Sequence, residues 1–289
     1  MSSEPRADSV TKSSGKAGVA AVRETLEGSA MPTRKSARKT VTREPTRDAI
    51  RIVPLHVSTA LAEAATAAQL TYRNGPLLTA VEVCTIFWGA VWQRAPAKTL
   101  VGQLNAFFDA ILISSLIDQL GEYSVGRRTI GHGRRTTTAT ITASAPQRSV
   151  TDSAIRSFLQ QSITTGRVPR ATSNTLYFVY VPPGVRVVSG GSASCLAFCG
   201  YHDAISRRVF YAVMPYPGCT GCTAGRSVLD ALTITSSHEL CEAITDPVPG
   251  QGWYDDANGE IGDICAWKTK KVGQYTVQLE WSNQANACV

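Results

Sequence analysis

Eight cysteines set the strongest limit on what this chain can fold into: Cys84, Cys195, Cys199, Cys219, Cys222, Cys241, Cys265 and Cys288. The count is even and high, and a cytosolic chain of this size rarely needs so many. It therefore points to disulfides and an oxidising compartment. Spacing does not choose the pairing. Cys195, Cys199 and His202, with Cys219 and Cys222, also have the spacing of a structural zinc knuckle, but the even count favours bridges.

At 289 residues the chain can build one large domain or two small ones. The net charge of +7 resembles a nucleic-acid signal until it is located. Residues 1–51 hold 11 Lys/Arg against 6 Asp/Glu, which leaves 18 against 16 in the rest. The basic character belongs to a tail, and no specific nucleic-acid partner is implied. No apolar run reaches the roughly 18–20 residues that a membrane helix needs. The best candidate, Ala106 to Ile117, is interrupted by Asp109, Ser114 and Ser115. The N-terminus lacks the apolar stretch of a secretory signal. Export by another route, a signal outside this sequence and an internal location all stay open.

Residues 1–50 are rich in Ser, Thr, Lys, Arg and Ala without an apolar period, and read as a disordered basic leader. Residues 51–73 read as a linker with a short helix over Val57 to Leu70. The turn Asn74-Gly75-Pro76 marks the start of a single domain over 74–289. Within it, β-branched and aromatic runs predict strands at Val81–Trp88, Thr136–Thr142, Thr175–Val181, Arg208–Met214 and Tyr275–Trp281. Apolar spacing predicts an amphipathic helix over Leu100–Leu120. Thr151-Asp152 caps a helix to about Thr165. A further helix covers about Asp230 to Thr245 and stops at Asp246-Pro247.

The late helix carries His238-Glu239-Leu240-Cys241-Glu242. His238 and Glu242 lie one helical turn apart and share a face. A catalytic zinc takes three protein ligands and keeps an open position. His238 and Glu242 supply two ligands, and Glu239 is placed to take a proton from water as general base. This is the logic of the zinc-protease helix, with Glu in place of its second His. Glu260 and Asp263 are the candidates for the third ligand, and Asp246 is a weaker one. A Cys241–Cys265 bridge would pin Glu260 and Asp263 against the helix. The loop Asp255-Asp256-Ala257-Asn258-Gly259-Glu260 also has the alternating oxygens of a calcium turn, which makes calcium the alternative metal. The same string is a common surface turn.

Several segments together carry a family resemblance. They are Asn74-Gly75-Pro76-Leu77, Phe87-Trp88-Gly89, Phe198-Cys199-Gly200-Tyr201-His202, the stretch from Ser237 to Pro247, Gly252-Trp253-Tyr254-Asp255 and the stretch from Glu260 to Trp267. In these the chain resembles the phosphate-induced, EXORDIUM-like proteins, and most closely their bacterial, fungal and oomycete members. The resemblance runs from about residue 74 to the C-terminus. It implies an extracellular or cell-wall-associated protein and says little about activity.

Other polar residues have plainer readings. His202 reads as a satisfied hydrogen-bonder in preference to a ligand, His132 as a loop residue, and His56 has no role. Trp253, Trp267 and Trp281 are placed to line a cleft for a peptide or sugar, or to fill core. The sequence has no Gly-x-Ser-x-Gly elbow, which argues against a serine hydrolase. The expectation is an α+β, zincin-like fold: a disulfide-stabilised mixed sheet, with the motif helix under an edge strand near Arg208–Met214. The expected function is a zinc-dependent hydrolase acting on peptide bonds. The alternatives are a non-enzymatic wall protein with a calcium or acidic-loop site, and a carbohydrate-binding wall protein.

Overall fold

Six strands form one mixed sheet in a computed structural model that describes residues 52–56 and 68–289. The main elements in chain order are β1 (Ile52–Pro54), β2 (Ala80–Trp88), α1 (Ala97–Ile111), β3 (Gly131–Ile141), α2 (Asp152–Thr164), β4 (Thr175–Tyr180), β5 (Phe198–Ile205), β6 (Val209–Met214), α3 (Val228–Thr245), β7 (Thr269–Val272) and β8 (Tyr275–Gln278). The strand order is β1-β5-β6-β4-β2-β3. The four strands β6, β4, β2 and β3 run parallel, whereas β5 is antiparallel to β6 and β1 is antiparallel to β5.

The central strands are buried on both faces, as parallel strands with helices on each side must be. Along β4, Leu176, Phe178 and Tyr180 join the core that holds α1 and α3. Their neighbours Tyr177, Val179 and Val181 join the core that holds α2. This alternation gives three layers. In α1, Leu100, Leu104, Phe107, Phe108 and Ile111 supply the buried stripe. The helix expected over Leu100–Leu120 breaks early, because the Ser114 hydroxyl donates to the Ile111 carbonyl and then caps the turn at Ser115–Asp118. At the start of α2 the Thr151 hydroxyl accepts from the Ala154 N–H, the expected cap.

Every residue of α3 from Ala231 to Thr245 is buried, so this helix is enclosed on all sides and not amphipathic. One side packs on β5 and β6 and the other on β8. The Ser227 hydroxyl caps its start by accepting from the Asp230 N–H. At its end, the Asp246 carboxylate accepts from the N–H groups of Gly250, Gln251 and Gly252 and fixes the exit loop.

Two expectations about layout are corrected. The strand Val209–Met214 is internal, because β5 and then β1 lie outside it. β5 escaped the sequence patterns because Cys199-Gly200 and His202-Asp203 break its apolar run. Ile52–Pro54, placed in a helical linker by the sequence reading, is instead a strand of the sheet. The helix expected over Val57–Leu70 falls mostly outside the described residues. Four cysteines form the pairs Cys195–Cys219 and Cys199–Cys222, which fasten β5 to the segment before α3 and leave no zinc knuckle there. The third pair is Cys265–Cys288, not Cys241–Cys265. Cys241 points into the interior of α3's packing and is free, as is Cys84. No single helix among the described residues is long and apolar enough to cross a membrane.

Candidate metal centre

Three elements converge on one polar pocket inside the core. α3 presents His238, Glu239 and Glu242, β5 presents His202, and the loop after α3 presents Glu260 and Asp263. His202, His238, Glu239, Glu242 and Glu260 are all at most 1% exposed. The Asp263 side chain is 8% exposed. Backbone proximity makes the convergence possible. A Cβ on Gly200 would stand 2.6 Å from the Thr235 side chain and 3.3 Å from Glu239 Oε1, so β5 lies against α3 as only glycine permits. A Cβ on Gly262 would stand 2.8 Å from His238 Nδ1 and 3.0 Å from Glu242 Oε1.

The contacts are short but several lack hydrogen-bond geometry. His238 Nε2 lies 2.9 Å from Glu242 Oε1 and 3.9 Å from Asp263 Oδ1. His202 Nδ1 lies 3.4 Å from Glu242 Oε2, and His202 Nε2 lies 3.5 Å from Glu260 Oε1. Yet His238 Nε2, Glu239 Oε1, both oxygens of Glu242 and both oxygens of Glu260 have no hydrogen-bond partner among the described residues. A pair of polar atoms 2.9 Å apart that do not point at one another is what two ligands aimed at a common third point look like. Buried carboxylates left without partners cost several kcal/mol each in solvation, of order 20 kcal/mol in the idealised limit. A cation offsets that cost, so the donor set fits a metal ion.

Each imidazole has a supporting contact. His202 Nε2 donates to the Asp246 backbone carbonyl at 3.1 Å, which leaves Nδ1 facing Glu239 Oε2 at 3.1 Å. With Nε2–H donating to a backbone carbonyl, Nδ1 is the nitrogen this ring could offer a metal, in place of its contact with Glu239. His238 Nδ1 faces the Gln278 amide at 2.8 Å. That amide also meets the Gly262 carbonyl and the Trp267 N–H, which hold it in place. Those two contacts set the Gln278 nitrogen toward Nδ1, so Nδ1 accepts and His238 carries its proton on Nε2; for Nε2 to take a metal, the amide must turn over and give up both contacts.

The charges follow from this crowding. Burial pushes the carboxyls of Glu239, Glu260 and Asp263 above their ordinary range. Burial acts on Glu242 as well, but His238 and His202 beside it hold it below the ordinary range. Burial disfavours charge on both imidazoles, and the surrounding carboxylates outweigh it and raise their pKa values. A metal ion bound here would compete with protons for these groups.

Of the residues expected from sequence, His238, Glu239 and Glu242 do meet. Glu260 faces His202 and not His238, and Asp263 stands on the His238 side. His202, read as a satisfied hydrogen-bonder in preference to a ligand, does have a partner on each ring nitrogen. It sits among Glu239, Glu242 and Glu260 as a potential ligand, and only its alternation on β5 with Gly200 and Ala204 could have placed it toward α3. Asp246 is spent on three backbone N–H groups, so it is not free to bind an ion. The expected calcium turn is a plain Asx turn. Asp255 Oδ1 accepts from the Ala257 and Asn258 N–H groups, Oδ2 accepts from the Gln69 N–H, and the exposed Asp256 pairs with Arg73 at 2.9 Å.

The chain matches no protein-family model and no curated protein.

Outside this cluster the remaining landmarks have structural roles. His132 lies on β3, not in a loop, and pairs with Asp118 at 2.8 Å. Each of the three tryptophans holds a hydrogen bond through its indole N–H. Trp253 Nε1 donates to the Tyr123 carbonyl, Trp267 Nε1 to the Pro54 carbonyl and Trp281 Nε1 to Asn283.

Proposed function

We propose that the protein is a metal-dependent hydrolase of peptide bonds, with a zinc-class ion held by His238, Glu242 and Asp263. The observation that carries the reading is the set of buried, partnerless ligand atoms around Glu242. Zinc is favoured over calcium because the set includes imidazole nitrogen, whereas calcium prefers oxygen alone. Such an ion supplies Lewis-acid activation of water. Glu239 follows His238 directly and has one oxygen, Oε1, without a partner, which suits it to accept a proton. The helix carrying His238 and Glu242 beneath strands of a mixed sheet supports a zincin-like reading, and the family resemblance supports placement outside the cell or in the wall. Three cysteine pairs at bonding distance agree with an oxidising compartment.

A second reading has one observation in its favour. The histidines and glutamates of the cluster are fully buried, as ligands of a purely structural ion would be. In that case the protein is a non-enzymatic wall protein stabilised by its metal.

Metal analysis and cleavage of a mixed peptide library separate the two. Under the hydrolase reading the wild type binds metal and cleaves. Glu239→Gln keeps the metal and loses about a hundredfold or more in rate. His238→Ala and Glu242→Ala lose metal and activity together. A wild type that holds metal and cleaves nothing supports the structural reading, and a wild type that holds none removes both.

A further inference from the structure

Glu242 offers its two oxygens in two directions. Oε1 faces His238 Nε2, and Oε2 faces His202 Nδ1. Neither oxygen has a hydrogen-bond partner among the described residues. The potential ligand atoms accordingly fall into two groups, His238-Glu239-Glu242 and His202-Glu242-Glu260, with Glu242 in both. We propose that Glu242 bridges two divalent transition-metal ions, the second held by His202 and Glu260 beside the first. This rests on the metal reading above and adds a second position to it.

Two features support it. First, both Glu260 oxygens are buried and partnerless, and Glu260 lies on the His202 side, beyond the group around His238. A single ion at His238 leaves them unpaired. Second, the buried His202 ring stands between the two carboxylates, with Nδ1 3.4 Å from Glu242 Oε2 and Nε2 3.5 Å from Glu260 Oε1.

A carboxylate bridge with imidazole and carboxylate ligands on each side suits zinc, manganese or iron. Two-metal sites of this kind place their ions about 3.5–4 Å apart, within the span of one carboxylate.

The test is stoichiometry. The full chain is loaded with zinc chloride or manganese chloride, freed of unbound metal by gel filtration and analysed for metal per chain. Two ions are expected in the wild type, one in His202→Ala, one in the nearly isosteric Glu260→Gln, and none in Glu242→Ala. Manganese-loaded wild type should show a spin-coupled paramagnetic resonance spectrum, which needs no variant to fold. One ion in the wild type, unchanged in His202→Ala and Glu260→Gln and without spin coupling, overturns the second position and leaves the single centre standing. Two ions that persist in both variants overturn the ligand assignment. No ion in the wild type overturns this proposal together with the metal reading beneath it.

Discussion

Gly262→Ala probes the centre with a single methyl group. The residue has φ −80° and ψ −37°, a conformation alanine adopts without strain, so the effect is steric alone. The new Cβ would stand 2.8 Å from His238 Nδ1, 2.9 Å from its Cγ and 3.0 Å from Glu242 Oε1. Restoring ordinary contact moves the ring and the carboxylate by about half an ångström, which is overpacking at a cost of roughly 1–3 kcal/mol. Metal–ligand distances tolerate only about 0.2 Å, so affinity should fall about 10–100-fold. Urea denaturation of the chelated protein measures the first effect, and competition with a chromophoric chelator measures the second. Gly102→Ala is the control: it lies exposed in α1 with nothing within 4 Å of its Cβ. It should gain about 0.5–1 kcal/mol from helix propensity and leave metal binding alone. If Gly262→Ala binds metal and resists urea as the wild type does, His238 and Glu242 are not held where the structure puts them.

Three further outcomes are expected. Chelation should lower the melting temperature, since metal at a hundred times its Kd contributes about 2.7 kcal/mol to the folded state; coincident melts with and without chelator would contradict a bound ion. Gln278→Met should cost about 10–100-fold in metal affinity by releasing the His238 ring, read by the same competition titration; an unchanged affinity would show that the ring needs no such support. Burial pushes the Cys84 thiol up to about 12 and the Cys241 thiol well above its ordinary value, so the folded protein should show no reactive thiol and the denatured, unreduced protein two; eight would contradict the pairing.

Much of the fold was legible where one signal dominated. β2, β4 and β6 are rich in β-branched and aromatic residues, as burial on both faces favours. The end of α3 was legible because Asp246-Pro247 cannot continue a helix. β5 was not, because two cysteine and glycine positions and two polar ones interrupt it, and these serve disulfides, close packing and the pocket instead of a strand pattern. At the centre, His238, Glu239 and Glu242 were legible from helical spacing alone. His202 was not, because its meaning depends on which strand lies over α3, a long-range fact that local spacing does not carry. The division of Glu260 and Asp263 between the two histidines, and the partner of Cys265, depend on loop paths of the same kind.

The seat of β1 gives the sheet its boundary. Val53 pairs with Gly200 on β5, and the Pro54 carbonyl is held by Trp267. A chain cut before Ile52 keeps this end-stop, whereas one cut after Pro54 loses it. The shorter chain would bare a row of backbone donors and acceptors on β5, directly above the acidic pocket, and any extended polypeptide could zip onto it. The three residues Ile52–Pro54 thus decide whether this end of the sheet is finished by its own chain or left open to another.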